Sequence, residues 1–298
     1  MGFFLEVLIG GLMAGVLYSL VALGLVLIFK ASGVFNFAQG AMVLFAALTL
    51  VRLMEKLPLP LALLATCVIM FMLAYAIERC VLRPLVNQPG ITLFMATLGI
   101  TFFIEGFGQI LWGSEIYKLD LGIPKQPIII LENTFAGGVL VSSEDLFATV
   151  VSGALVIVLA IFFQKTRIGR ALRAVADDHQ AAQSIGIPLN QIWLIVWTVA
   201  GIVALVAGII WGSRLGVQFS LSLIALKALP VVILGGFTSV PGAIIGGLII
   251  GVGEKMSEVY LGPIIGGGLE NWFAYTLALL FLLVRPEGLF GEKIIDRV

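Results

Sequence analysis

Few side chains in this 298-residue chain can do chemistry, and the most informative of them sit inside long apolar stretches. Thr97, Thr101 and Glu105 recur at four-residue spacing, and Gln109 extends the series, which places them on one slowly drifting helix face. Glu105 stands out as an acidic residue well inside a long apolar segment, where an ionisable group is a functional candidate by default. It either faces the path of a polar solute or answers an Arg or Lys at an interface. In NFAQG (36–40), Asn36 and Gln39 are amides in an apolar setting, and such amides need partners from a neighbouring helix or from a solute. No catalytic constellation accompanies these groups. His179 is the only histidine, without an acidic or nucleophilic partner in the pattern, and no metal-ligand spacing is present. No G-x-x-x-x-G-K-[ST] phosphate loop occurs, so the chain is not expected to bind and hydrolyse ATP by that route.

The elements that must position these residues are those of a membrane protein. The chain is 60% hydrophobic and 11% charged, with 35 glycines and a formal net charge of zero; soluble domains carry roughly 25% charged residues. Zero net charge argues against a nucleic-acid partner. The apolar run from Leu8 is long enough to span, lacks a basic leader and carries Glu6 near its start, so it reads as a span and not as a cleavable signal. Cys67 and Cys80 read as buried small hydrophobes.

Apolar segments at or near spanning length cover 7–29, 34–51, 61–82, 91–112, 146–164, 191–212 and 270–284. The region 222–253 splits at GGFTSVPG (235–242), where Gly235, Gly236, Pro241 and Gly242 break any helix. Its halves read as shorter than the ~20 residues a span requires, giving a broken or re-entrant pair. The glycines either permit tight packing or form an unwound gate. The expectation is an all-α polytopic membrane protein in one domain, residues 1–298, with about eight transmembrane helices.

Cations set the orientation. Arg79 and Arg83, then Arg167, Arg170 and Arg173, then Arg285, Lys293 and Arg297 follow apolar spans and mark the cytoplasmic side. The loop 113–145 holds two cations against five anions and suits the outer face, which puts the N-terminus outside. The long polar interruption 165–190 is therefore a cytoplasmic loop, helix-prone and free of catalytic groups.

Three segments together resemble the permease family of ABC importers for branched-chain amino acids and related small polar solutes. They are VFNFAQGAM (34–42), GRALRAVADDHQAAQSIGI (169–187) and KALPVVILGGFTSVPGAIIGGLIIG (227–251) with the closing RPEGLFG (285–291). The sequence departs from the family at Gln39, where histidine is usual, and at Ala41, where an acidic residue is common. The resemblance implies a bacterial inner-membrane subunit that works with a second, homologous permease (a heterodimer), two cytoplasmic ATPases that hydrolyse the ATP, and an extracytoplasmic solute-binding protein. It implies that the chain itself binds no cofactor and is not an enzyme. QAAQSIG (180–186) is similar to the coupling helix of such importers. On that resemblance Ala181 and Ala182 let the short helix sit in an ATPase groove, with Arg170, Arg173, Asp177 and Asp178 as rim contacts, while Gly186 ends the helix and Pro188 prevents its continuation. Branched-chain or other hydrophobic amino acids are the implied solutes, ahead of urea or short amides. A stand-alone ion-coupled carrier is the alternative class, and a membrane-embedded enzyme lacks any reactive constellation.

Overall fold

The computed structural model describes residues 2–33, 35–85, 88–123, 126–130, 138–177 and 179–291. The elements in chain order are α1 (Gly2–Ser32), α2 (Gln39–Met54), α3 (Leu59–Ile77), α4 (Gly90–Trp112), β1 (Pro127–Ile130), β2 (Val139–Ser142), α5 (Ser143–Lys165), α6 (Arg167–Asp177), α7 (His179–Ser184), α8 (Leu189–Leu215), α9 (Ile224–Gly235), α10 (Val240–Tyr260), α11 (Gly262–Ile265) and α12 (Phe273–Val284). Prolines punctuate the helix starts: Pro58 precedes α3, Pro89 precedes α4, Pro188 precedes α8 and Pro241 opens α10. A fixed φ and a missing N–H cost nothing in a first helical turn.

Among the described residues, six helices are long and apolar enough to cross a membrane: Gly2–Ser32, Leu59–Leu85, Gly90–Trp112, Ser143–Lys165, Leu189–Leu215 and Val240–Tyr260. Gln39–Met54, Phe219–Gly235 and Phe273–Val284 are shorter apolar helices. Leu59–Leu85 runs from α3 through a π-helical turn at Glu78–Leu82 and a 3₁₀ turn at Arg83–Leu85.

The chain divides into two compact units. One contains Met1–Leu23, Leu121–Ile157 and Leu226–Val298, and the other Gly24–Asp120 and Val158–Ala225. The second unit is organised around α2, which packs against α3, α4, α8 and the 3₁₀ turn Phe219–Leu223. Every residue from Gln39 to Val51 is buried. At the start of α2, a Cβ on Gly40 would strike the carbonyl oxygen of Ser222, so no other residue fits this close approach. In the first unit, α1 and α10 meet backbone to backbone. A Cβ at Gly11 would lie 2.8 Å from Val252 Cα, and one at Gly15 would lie 2.7 Å from the Gly247 carbonyl oxygen. A Cβ at Gly251 would lie 2.5 Å from Gly15 Cα. Glycine at four-residue spacing on both helices is a common solution for close membrane packing.

The structure corrects three expectations and adds one element. The 34–51 segment is a 16-residue helix starting at Gln39, about 24 Å long and short of the ~30 Å bilayer core. The Asn36 side chain accepts from the Ala38 N–H (3.0 Å) and holds residues 36–38 in a turn. The second half of the 222–253 region is not short, because α10 continues to Tyr260 as a 21-residue helix. The 113–145 loop is not merely irregular: β1 and β2 pair antiparallel there, Pro127 opposite Ser142 and Ile130 opposite Val139. Cys67 and Cys80 are free and exposed on the surface of their unit.

Candidate functional site

Asn36 and Gln39 are brought together with Thr97 in the second unit. Asn36 Nδ2 donates to Gln39 Oε1 (3.3 Å), and Gln39 Nε2 donates to the Ala200 carbonyl of α8 (3.2 Å). Both side chains are fully buried, and the small Gly24 leaves room beside the Gln39 amide. Thr97 Oγ1 lies 3.3 Å from the Phe35 carbonyl and 2.9 Å from that of Phe94, joining α4 to the 35–38 turn. The aromatic rings follow the same path: Phe37 packs edge-on against Phe35 and Phe94. Thr101 donates to the Thr97 carbonyl one turn below. Glu105, a further turn along α4, is partly exposed and makes no hydrogen bond or ion pair among the described residues. The helix face expected from the spacing is real, and its first member, Thr97, reaches the 35–38 turn through the Phe35 carbonyl.

The break expected at 235–242 lies between α9 and α10. Gly236 has φ of +100°, a left-handed conformation that other residues adopt only under strain. The closing segment at 285–291 holds this turn: Leu289 N–H donates to the Leu234 carbonyl (2.8 Å) and Phe290 N–H to that of Gly235 (3.1 Å). Those two bonds satisfy carbonyls left open at the end of α9. A Cβ on Gly236 would meet Gly291 N at 2.7 Å, and Gly235 and Gly242 face each other backbone to backbone. Ser239 caps α10 by accepting from Gly242 N–H (3.0 Å), with Pro241 in the first turn. Each glycine of this motif is therefore at a close approach in this conformation.

The buried carboxylate that the sequence did not single out is Glu254 on α10. Its Oε1 accepts from the Tyr18 hydroxyl of α1 (3.2 Å) and lies 3.9 Å from Lys227 Nζ on α9. Glu254 is 4% exposed, so a hydrogen bond and a nearby cation offset the cost of removing its charge from water. Signals that could have found it are Lys227, the sole cation of the α9 helix, and Glu254 itself, placed where glycine-rich apolar sequence gives way to EKMSE. Among the described residues Glu78 is the second buried acid, at the π-helical turn after α3, and its Oε1 has no hydrogen-bond partner there.

In the 165–190 loop the structure forms two short helices. Thr166 starts α6 by accepting from Gly169 N–H (3.1 Å). Arg173 Nη1 donates to the Phe163 carbonyl at the end of α5 (2.6 Å), and Arg170 Nη1 reaches that of Lys165 (3.4 Å). Both guanidiniums are thus engaged in closing α5, which suits the negative end of its dipole. The end of α7 is a Schellman turn: Ile187 N–H donates to Ala182 C=O, Gly186 N–H to Gln183 C=O, and Gly186 has φ of +86°. Gly186 and Pro188 therefore end the helix as their positions predict. Ala181 is exposed, but Ala182 is buried against its own chain, and the apolar group offered outward is Ile185, 74% exposed. Asp178 and the side chain of Asp177 lie outside the described residues.

Known proteins resemble the chain along nearly its whole length. The chain is 28% identical to the high-affinity branched-chain amino acid transport system permease protein BraD of Pseudomonas aeruginosa, over 99% of this chain and 98% of that one. It is 27% identical to the corresponding permease protein LivH of Escherichia coli, with the same coverage, and 29% identical to a probable branched-chain amino acid transport permease of Methanocaldococcus jannaschii, over 96% and 92%. The solved structure of PsaBC from Streptococcus pneumoniae in complex with Fab shares the fold, with a TM-score of 0.53 at 13% identity over 93% of this chain and 91% of that one. The family model for the permease component of the branched-chain amino acid transport system matches residues 7–285, and so the chain belongs to that family of membrane permeases.

Proposed function

We propose that this chain is the membrane subunit of an ATP-driven importer that moves branched-chain or other hydrophobic amino acids inward by alternating access. The observation that carries the reading is the end-to-end match to permeases of that transport system, including every segment that forms the turn and loop motifs. Two cytoplasmic ATPases supply the energy, a homologous sister permease completes the membrane part, and an extracytoplasmic binding protein delivers the solute. The chain binds no cofactor, and ATP is hydrolysed by the partners. The α6–α7 arm is the point of coupling: its Schellman cap fixes the direction of α7, and Ala181, Ile185 and Gly186 form its outward face. Arg170 and Arg173 hold the arm to α5, and Ala182 seats it. Asn36 and Gln39 frame the 35–38 turn, while Thr97, Thr101 and Glu105 border the solute route on α4. Gly235, Gly236, Pro241 and Gly242 form the turn about which α9 and α10 adjust during transport.

Reconstitution tests this reading. Proteoliposomes holding the chain with its ATPases and sister permease should take up leucine only when ATP and the binding protein are both supplied. Uptake by the chain alone, driven by an ion gradient, would replace the reading with a secondary carrier. Uptake of urea or acetamide in preference to leucine would replace the solute. Ile185→Asp should leave the thermal melt unchanged and separate ATP hydrolysis from uptake.

A further inference from the structure

A cavity of about 390 Å³ lies in the first unit, at the amino-terminal end of α1, and no role described so far uses it. That volume is at the low end of the ~300–1,000 Å³ of small-molecule sites. Its α1 wall is a single helix face, formed by Phe3, Glu6, Val7, Gly10 and Met13 at helical spacing. The hairpin and the first turn of α5 contribute Val141, Ser142 and Asp145, and α10 contributes Lys255 and Val259, one turn apart. Beneath it, Met13, Val139 and Val141 form a buried apolar floor. Gly10 keeps the space open, since a Cβ there would meet nothing within 4 Å.

The polar groups are few and of both signs: the carboxylates of Glu6 and Asp145 and the ammonium of Lys255. Asp145 N–H donates to Ser142 Oγ (3.3 Å), which fixes the first turn of α5. Lys255 Nζ is 3.8 Å from Glu270 Oε2, a pair in which both side chains are over 40% exposed. An exposed pair of that length is worth little and yields readily to a competing carboxylate. A simple anion meets Glu6 and Asp145 against the one ammonium of Lys255 and is disfavoured, whereas a simple cation gains the two carboxylates but leaves Lys255 only its exposed partner Glu270. A zwitterion with an apolar remainder satisfies every wall.

We propose that this cavity binds one α-amino acid with an aliphatic side chain, its ammonium towards Glu6 and Asp145, its carboxylate on Lys255 and its side chain against Val7, Met13 and Val141. The proposal rests on the amino-acid importer reading and deepens it. The cavity is walled by the 113–145 segment, which its charge assigns to the outer face, so it holds solute on the permease itself, apart from the binding protein.

The test is direct binding to the transporter without its binding protein, in phosphatidylglycerol nanodiscs whose headgroups carry no amine. Calorimetric titration compares L-leucine with 3-methylbutylamine, which lacks the carboxylate, and 4-methylpentanoate, which lacks the ammonium. Leucine should bind roughly tenfold more tightly than either. Gly10→Leu grows a side chain into the cavity at a position where leucine is also the better helix former, and it should weaken leucine binding roughly tenfold with an unchanged thermal melt. Lys255→Gln should weaken leucine binding but not that of 3-methylbutylamine. Three probes of equal affinity, no leucine binding to the unsubstituted transporter, or an unaltered titration for Gly10→Leu would each overturn the proposal. Those outcomes leave leucine uptake with the binding protein intact. Failure of that uptake counts instead against the importer reading.

Discussion

In the unit that contains α10, helices meet through backbone, whereas in the unit that contains α2 they meet around one fully buried helix and a pair of neutral amides. Gly11 and Gly15 of α1 lie against Gly247, Gly251 and Val252 of α10, and across that seam Ser19 donates to the Ile244 carbonyl and Tyr18 to the Glu254 carboxylate, a charged group that Lys227 of α9 also approaches. The α2 unit instead ties α2 to α8 through Gln39 and the Ala200 carbonyl, with no charge involved. A seam of glycines has no side chain that can give way, while side-chain packing can relax partly around a substitution. The two units should therefore fail differently when altered, the first abruptly and the second by degrees.

The largest effect is expected from Gly251→Leu, whose Cβ would be placed 2.5 Å from Gly15 Cα with backbone on every side. The loss should exceed about 4 kcal/mol and leave no folded protein in detergent by size exclusion. Recovery of a monodisperse protein would show that the α1–α10 seam can open. Gly236→Leu comes next, at about 3 kcal/mol, since it adds left-handed backbone strain to an overlap with Gly291. A folded Gly236→Leu protein that binds its partners but does not transport would assign the turn to gating and not to packing.

Charge and amide should be separable in the same way. Glu254→Ala removes the acceptor of Tyr18 and the counter-charge of Lys227, and should lower stability by about 3 kcal/mol. Glu254→Gln keeps the shape and should cost about 1 kcal/mol, and pairing it with Tyr18→Phe in a double-mutant cycle isolates the hydrogen bond. Gln39→Ala leaves the Asn36 amide and the Ala200 carbonyl short of a partner in a fully buried site and should cost about 2 kcal/mol. Thermal melts of the purified variants rank the three. A Gln39→Ala loss larger than that of Glu254→Ala would reverse the comparison between the units.

What the sequence made legible follows from how local the determinant is. The end of α7 at Gly186, the break at Gly235–Gly242 and the helices of the α6–α7 arm are set by residues within a turn of the feature, and the structure places them there. The burial of α2 was not legible, because an apolar helix facing lipid and one facing other helices read alike. Glu254 was missed because EKMSE looks like the end of an apolar run, while its partners lie far away in sequence, Tyr18 by 236 positions. The β1–β2 hairpin escaped for a related reason: its short apolar strands gain their meaning from pairing and from the Met13 floor. Ala182 and Ile185 exchange the roles that side-chain size alone suggested, since which face of α7 turns inward depends on the packing of the arm.

The smallest effect on stability belongs to Glu105, and it sharpens the contrast with Glu254. Glu254 is enclosed and holds two helices, whereas Glu105 is partly exposed on α4 and makes no hydrogen bond or ion pair among the described residues. Glu105→Gln should therefore change the melting behaviour by less than about 0.5 kcal/mol, the range of substitutions that break nothing. If the carboxylate borders the solute route, uptake should fall about tenfold with stability intact, the value of one hydrogen bond to a charged group. Uptake at the unsubstituted rate would remove Glu105 from the route and leave the α4 face to Thr97 and Thr101. The same measurement on Glu254→Gln should show the reverse order, with stability lost before transport, because its charge holds helices and faces no open space.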